Sequence, residues 1–164
     1  MKNVKTFDSP YLKMVCTDID IENTSFEEIE YLFWKMRHEL VKHKNGVAIS
    51  ANQIGEDVNM FVYNYQCEEP YFDPSFVAIL NPEILERSDE TVVSDEGCLS
   101  LPGLTKSVAR NKWVRVNYWE FPSMVRVENR IIDGFMSTVF QHEYDHLRGI
   151  KLNELEDALR IMVT

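Results

Sequence analysis

Two histidines four residues apart, in His142-Glu143-Tyr144-Asp145-His146, constrain this chain more than any other feature. A helix of about 3.6 residues per turn puts both imidazoles on one face, one turn apart, where they can bind one metal ion together. Glu143 follows the first histidine directly and can reach a water on that metal as general base. The segment is therefore expected to be helical, and a third ligand has to be brought to it. Cys98 is the best placed donor, in the short stretch Glu96-Gly97-Cys98-Leu99-Ser100. Two imidazoles and a thiolate make three protein ligands, one short of a closed tetrahedral site. An open position is what a hydrolytic metal needs for water.

Taken alone, the histidine run suggests a zinc peptidase, and the third ligand decides between readings. One large peptidase group places a glycine three residues after the second histidine and a third histidine three residues further on. Gly149 is present, but Leu152 stands where that histidine would be. Other peptidases use a glutamate well downstream. Here only Glu154 and Glu156 follow, too near to fold back. The upstream cysteine remains.

The residues that carry a family resemblance are Gly46-Val47-Ala48-Ile49-Ser50-Ala51-Asn52-Gln53, then Glu96-Gly97-Cys98-Leu99-Ser100, then Gln141-His142-Glu143-Tyr144-Asp145-His146. In order and spacing they resemble the three motifs of the peptide deformylases, G-φ-G-φ-A-A-x-Q, E-G-C-φ-S and Q-H-E-φ-D-H, where φ is apolar. The second motif matches in full and the third nearly so. The first departs twice, with Ala48 for the second glycine and Ser50 for the first alanine. The likeness extends to Asp8-Ser9-Pro10-Tyr11-Leu12 and covers nearly the whole chain.

The resemblance implies a hydrolase that removes the formyl group from the initiator methionine of new proteins, releasing formate. It implies one divalent ion on Cys98, His142 and His146, with Fe²⁺ in cells and Zn²⁺ or Ni²⁺ after purification; an N₂S donor set accepts all of these. It gives Gln53 and the backbone N–H of Leu99 the task of holding the oxyanion, beside Glu143 as base. It assigns the methionine pocket to Val47, Ala48, Gly97, Phe135, Thr138 and Val139. Glu96, Arg110 and Asp145 are the candidates for orienting the ligands, with one carboxylate expected to pair with Arg110. The alternatives are a zinc-dependent peptidase using the same helix, or a relative that binds metal or formyl-peptide without chemistry. The intact Glu143, Gln53 and three ligands argue against the second.

Composition narrows the partners. With 27 acidic residues against 17 Lys and Arg, the formal charge is −10. Nucleic-acid binding relies on neutralising phosphates, so no direct nucleic-acid partner is expected. The long C-terminal helix through which some deformylases dock on ribosomes has no counterpart here, so stable ribosome docking is not expected. Leu152, Leu155, Leu159 and Met162 recur at helical spacing and suggest a short closing segment packed on the domain. No apolar run is long enough to span a bilayer, and the N-terminus reads as neither signal nor transit peptide. A cytoplasmic protein is expected, without disulfides among Cys16, Cys67 and Cys98.

The fold expected is α+β, a single domain over 1–164, with antiparallel strands around the metal-binding helix and an N-terminal amphipathic helix. That first helix starts after Thr24-Ser25, carries Ile29, Leu32, Phe33, Met36, Leu40 and Val41, and reaches Lys44 before Asn45-Gly46. His38 and His43 near its end are expected to be exposed. Strands are expected at 60–65, at 76–80 ending before Asn81-Pro82, and as a short piece at 91–93. A hairpin of 113–120 and 124–132 turns at Pro122-Ser123, and the metal helix follows at about 135–147.

Overall fold

The computed structural model describes residues 4–6, 8–64 and 76–156. Helix α1 spans Phe26–Leu40 and opens on a reciprocal cap: the Ser25 hydroxyl accepts from Glu28 N–H while the Glu28 carboxylate accepts from Ser25 N–H. Its face of Ile29, Phe33, Met36 and Leu40 is buried, at the spacing the sequence shows. The helix ends four residues earlier than expected. The chain turns back at once, with Gly46 N–H bonding His43 O. A Cβ on Gly46 would lie 2.7 Å from Leu40 Cδ1, so a larger residue there would force the buried Leu40 side chain to shift.

The turn delivers β1 (Ala48–Ser50) to β2 (Met60–Asn64), which pairs with β3 (Phe76–Arg87). The hairpin of β6 (Trp113–Phe121) and β7 (Val125–Asp133) completes a five-stranded antiparallel sheet in the order β1-β2-β3-β6-β7. β3 runs through Asn81-Pro82 instead of stopping there. A register shift between Leu80 and Glu83 absorbs the proline, and Asn81, at φ 50°, hydrogen-bonds both backbone groups of Ile19. Bulges are where strands tolerate proline.

Both faces of the sheet are covered, and side-chain alternation explains how. Met60, Val62, Ala78 and Leu80 point towards α1 and join Ile29, Phe33, Met36 and Phe121 in one cluster. Phe61, Ile79, Val114, Val116 and Tyr118 point the other way and pack on α2 (Gly134–Leu147) through Phe140 and Leu147. Phe61 and Phe140 meet edge to face, with ring centroids 5.4 Å apart.

A second, two-stranded sheet pairs β4 (Thr91–Gly97) with β5 (Thr105–Asn111). The expected short strand at 91–93 therefore reaches the cysteine motif itself. Gln141 fixes α2 to the end of β5: its Oε1 accepts from Asn111 N–H at 3.1 Å and its Nε2 donates to Asn111 O at 2.8 Å. Leu152 is buried beside Cys98 and Val108, with half-buried Leu155 packed on the same cluster. Leu159 and Met162 of the expected closing segment, and Cys67, lie outside the described residues. Cys16 and Cys98 are buried and free.

Candidate metal centre

α2 holds His142 and His146 one turn apart, with ring centroids separated by 4.9 Å. Cys98 comes directly after β4, and its Sγ lies 3.1 Å from His146 Nε2. One donor atom from each of Cys98, His142 and His146 falls within 4.8 Å of the others. A tetrahedral centre holds such donors roughly 3.3–3.6 Å apart, so one ion fits with small side-chain adjustments. Among the described residues the cluster has three members, which leaves a coordination position for water.

The donors are oriented from behind. His142 Nδ1 is 2.8 Å from Glu96 Oε2, which directs the ring's other nitrogen to the cluster. Glu96 in turn receives two bonds from Arg110, at 2.7 and 2.9 Å, and Arg110 gives a third to Asp145 at 2.5 Å. Both carboxylates thus pair with Arg110, where one was expected. The strand register explains the placement: Ser94, Glu96, Val108 and Arg110 share one face of the β4–β5 pair, the face turned to α2. Burial works against the Glu96 charge, but the Arg110 and His142 bonds hold its carboxyl below the usual range. For His142, burial opposes the charge, while the bonds to Cys98 and Glu96 hold the imidazole up to about 10. Burial pushes His146 well down. A neutral His146 has a ring nitrogen free to bind a metal, and the Cys98 thiol would give up its proton on binding one.

Glu143 is buried on the same helix turn and lines a cleft of about 760 Å³ that also reaches Cys98, His142 and Gln53. Burial pushes its carboxyl up, against the pull of His142 and of a hydrogen bond from Ser50. Gln53 sits in a one-turn 3-10 helix after β1 (Ala51–Ile54). Its Oε1 accepts from Ser50 N–H at 2.9 Å, so its amide NH₂ faces Ser100 Oγ at 3.1 Å and Cys98 Sγ at 3.8 Å. Leu99 lines the cleft, and among the described residues no hydrogen bond engages its N–H.

Val47, Ala48, Gly97, Phe135, Thr138 and Val139 all line this cleft. Phe135 is 59% exposed at its mouth, whereas Thr138 and Val139 are buried. Sequence reasoning missed Ser94, Leu101, Leu104 and Thr105 on the opposite wall, and Ser100 behind Gln53. It also missed His43, expected to be exposed but half-buried at the rim with Nε2 enclosed. His43 falls there because α1 ends early; no spacing in the sequence signals that.

The family model for polypeptide deformylase matches residues 1–158. The chain belongs to the peptide deformylase family. The peptide deformylase of Thermotoga neapolitana is 32% identical over 164 residues, covering 99% of this chain and 92% of the relative. The crystal structure of peptide deformylase from Thermotoga maritima superposes with a TM-score of 0.79 at 31% identity, covering 94% of this chain and 97% of that one. The Plasmodium falciparum deformylase gives a TM-score of 0.83 at 25% identity, covering 98% and 90%. As a family member, the chain is a metal-dependent hydrolase that removes the N-formyl group from the terminal methionine of nascent polypeptides. The peptidase reading is not favoured.

Proposed function

We propose that Cys98, His142 and His146 hold the single ion of this deformylase, that Glu143 is its general base, and that Gln53 and Leu99 bind the oxyanion. The convergence of three donors with a buried carboxylate, where Cys98, His142 and Glu143 line one cleft, carries this reading. When bound, the ion lowers the pKa of a coordinated water towards about 7 and so supplies hydroxide at neutral pH. A formamide carbonyl is unreactive, so the protein has three tasks beyond that. Glu143 takes the proton of the attacking water and passes it to the leaving amine. Burial raises its proton affinity, which favours the first half of that transfer. The Gln53 amide and the Leu99 N–H stand beside Cys98 to receive the negative charge that grows on the carbonyl oxygen. The methionine side chain lies between Val47, Ala48 and Gly97 on one side and Phe135, Thr138 and Val139 on the other.

The donor set suits Fe²⁺ in cells, with Zn²⁺ or Ni²⁺ able to replace it. No described helix is long and apolar enough to cross a membrane, and formylated nascent chains arise where translation occurs, so we place the enzyme in the cytoplasm. Its charge of −10 argues against stable docking on ribosomal RNA.

Glu143→Gln tests the assignment of the base. Glutamine fills the same space but cannot accept the proton. The variant is expected to keep its metal and lose formate release by about a hundredfold or more. Near-normal turnover would remove Glu143 from the mechanism.

A further inference from the structure

Ser50 stands where the family motif has alanine, and it is fully buried, at 0% exposure. A buried hydroxyl is costly unless it is bonded. This one donates to Glu143 Oε2 and lies 3.2 Å from Glu143 O. Its own N–H meanwhile fixes Gln53 Oε1 at 2.9 Å. Two residues on, Asn52 Nδ2 donates to His146 O at 2.5 Å. The end of β1 and the turn after it thus grip α2 by polar bonds at two successive turns, and only the first of these reaches a side chain of the candidate chemistry.

We propose that Ser50 is a positioning residue for Glu143, selecting the carboxylate rotamer that presents Oε1 to the attacking water. The inference rests on the assignment of Glu143 as base. A carboxylate has two oxygens and rotates freely about its last bond. A donor on Oε2 fixes that torsion and leaves Oε1 to take the proton. Displacement of a base by a fraction of an ångström costs rate and leaves substrate binding intact. The contribution comes from the side chain alone, because the backbone bond to Gln53 survives any substitution that keeps the turn.

The test is Ser50→Ala, the family's own residue at this place, beside Ser50→Thr, which restores a hydroxyl. In the metal-loaded full-length protein, Ser50→Ala is expected to lower kcat for formyl-peptide about ten- to hundredfold. KM and metal content should stay close to those of the parent, while Tm falls modestly because the buried Glu143 carboxylate loses a donor. Ser50→Thr should recover most of the loss. Should Ser50→Ala prove insoluble, Ser50→Cys, slightly larger and a much weaker donor, should show the same fall in kcat. An unchanged kcat in the alanine variant would overturn the inference. So would a loss carried by KM or by metal content, or one that the threonine variant shares in full. Failure of the underlying reading looks different: Glu143→Gln would then retain turnover whatever Ser50 does.

Discussion

At Gln53 one side-chain amide is held at both ends, by Ser50 N–H on its oxygen and by Ser100 Oγ beside its nitrogen. Nothing in the bare sequence distinguishes it from an ordinary loop glutamine. Its place came from the motif, and its partner Ser100, 47 residues away, came only from the fold. Gln53→Ala is expected to lower kcat by about 10²–10³ while leaving metal content unchanged, the usual cost of one oxyanion donor. Steady-state kinetics with metal analysis of the same sample decides it. The histidines were legible because helical periodicity alone places them. Ser50 was not, because a serine in an apolar motif signals a departure but does not say what the hydroxyl touches.

Among the elements, the β4–β5 pair does most to shape the site and was the least visible in the sequence. β5 reads Thr105-Lys106-Ser107-Val108-Ala109-Arg110-Asn111, and its buried face carries Val108 and the charged Arg110. A strand whose inward residue is an arginine hides its alternation. β1 is three residues long and fully buried, too short for any periodicity to register. The α1 start, the β6–β7 hairpin and α2 were legible, since caps, turn residues and apolar spacing agree there. Arg110→Ala tests the element-level account. It leaves Glu96 buried without its cation, and losing one partner of a buried pair costs about 3–5 kcal/mol. Denaturant unfolding should show that loss, and metal affinity should fall about 10- to 100-fold as His142 loses its anchored acceptor. Unchanged affinity would mean that Glu96 orients His142 unaided. At the other end of the molecule, Ser25→Ala removes the hydroxyl that caps α1. It should cost about 0.5–2 kcal/mol with no change in kcat.

The molecule as a whole is a sheet with a helix on each face, one for the core and one for the chemistry, closed on the metal side by a second small sheet. That α+β plan was legible in the order of elements. The cleft was not, because its far wall comes from β4, the start of β5 and the loop between them, and its rim from the turn after α1. The charge of −10 belongs to this scale too: the protein should stay in the supernatant when ribosomes are sedimented at physiological salt. The most direct test of the central claim is formate release from formyl-Met-Ala-Ser as a function of bound metal. The protein should carry about one ion per chain. Release should fall away when a chelator strips that ion and return in proportion when Fe²⁺, Ni²⁺ or Zn²⁺ is restored. Formate release that persists undiminished in the stripped protein would contradict the account.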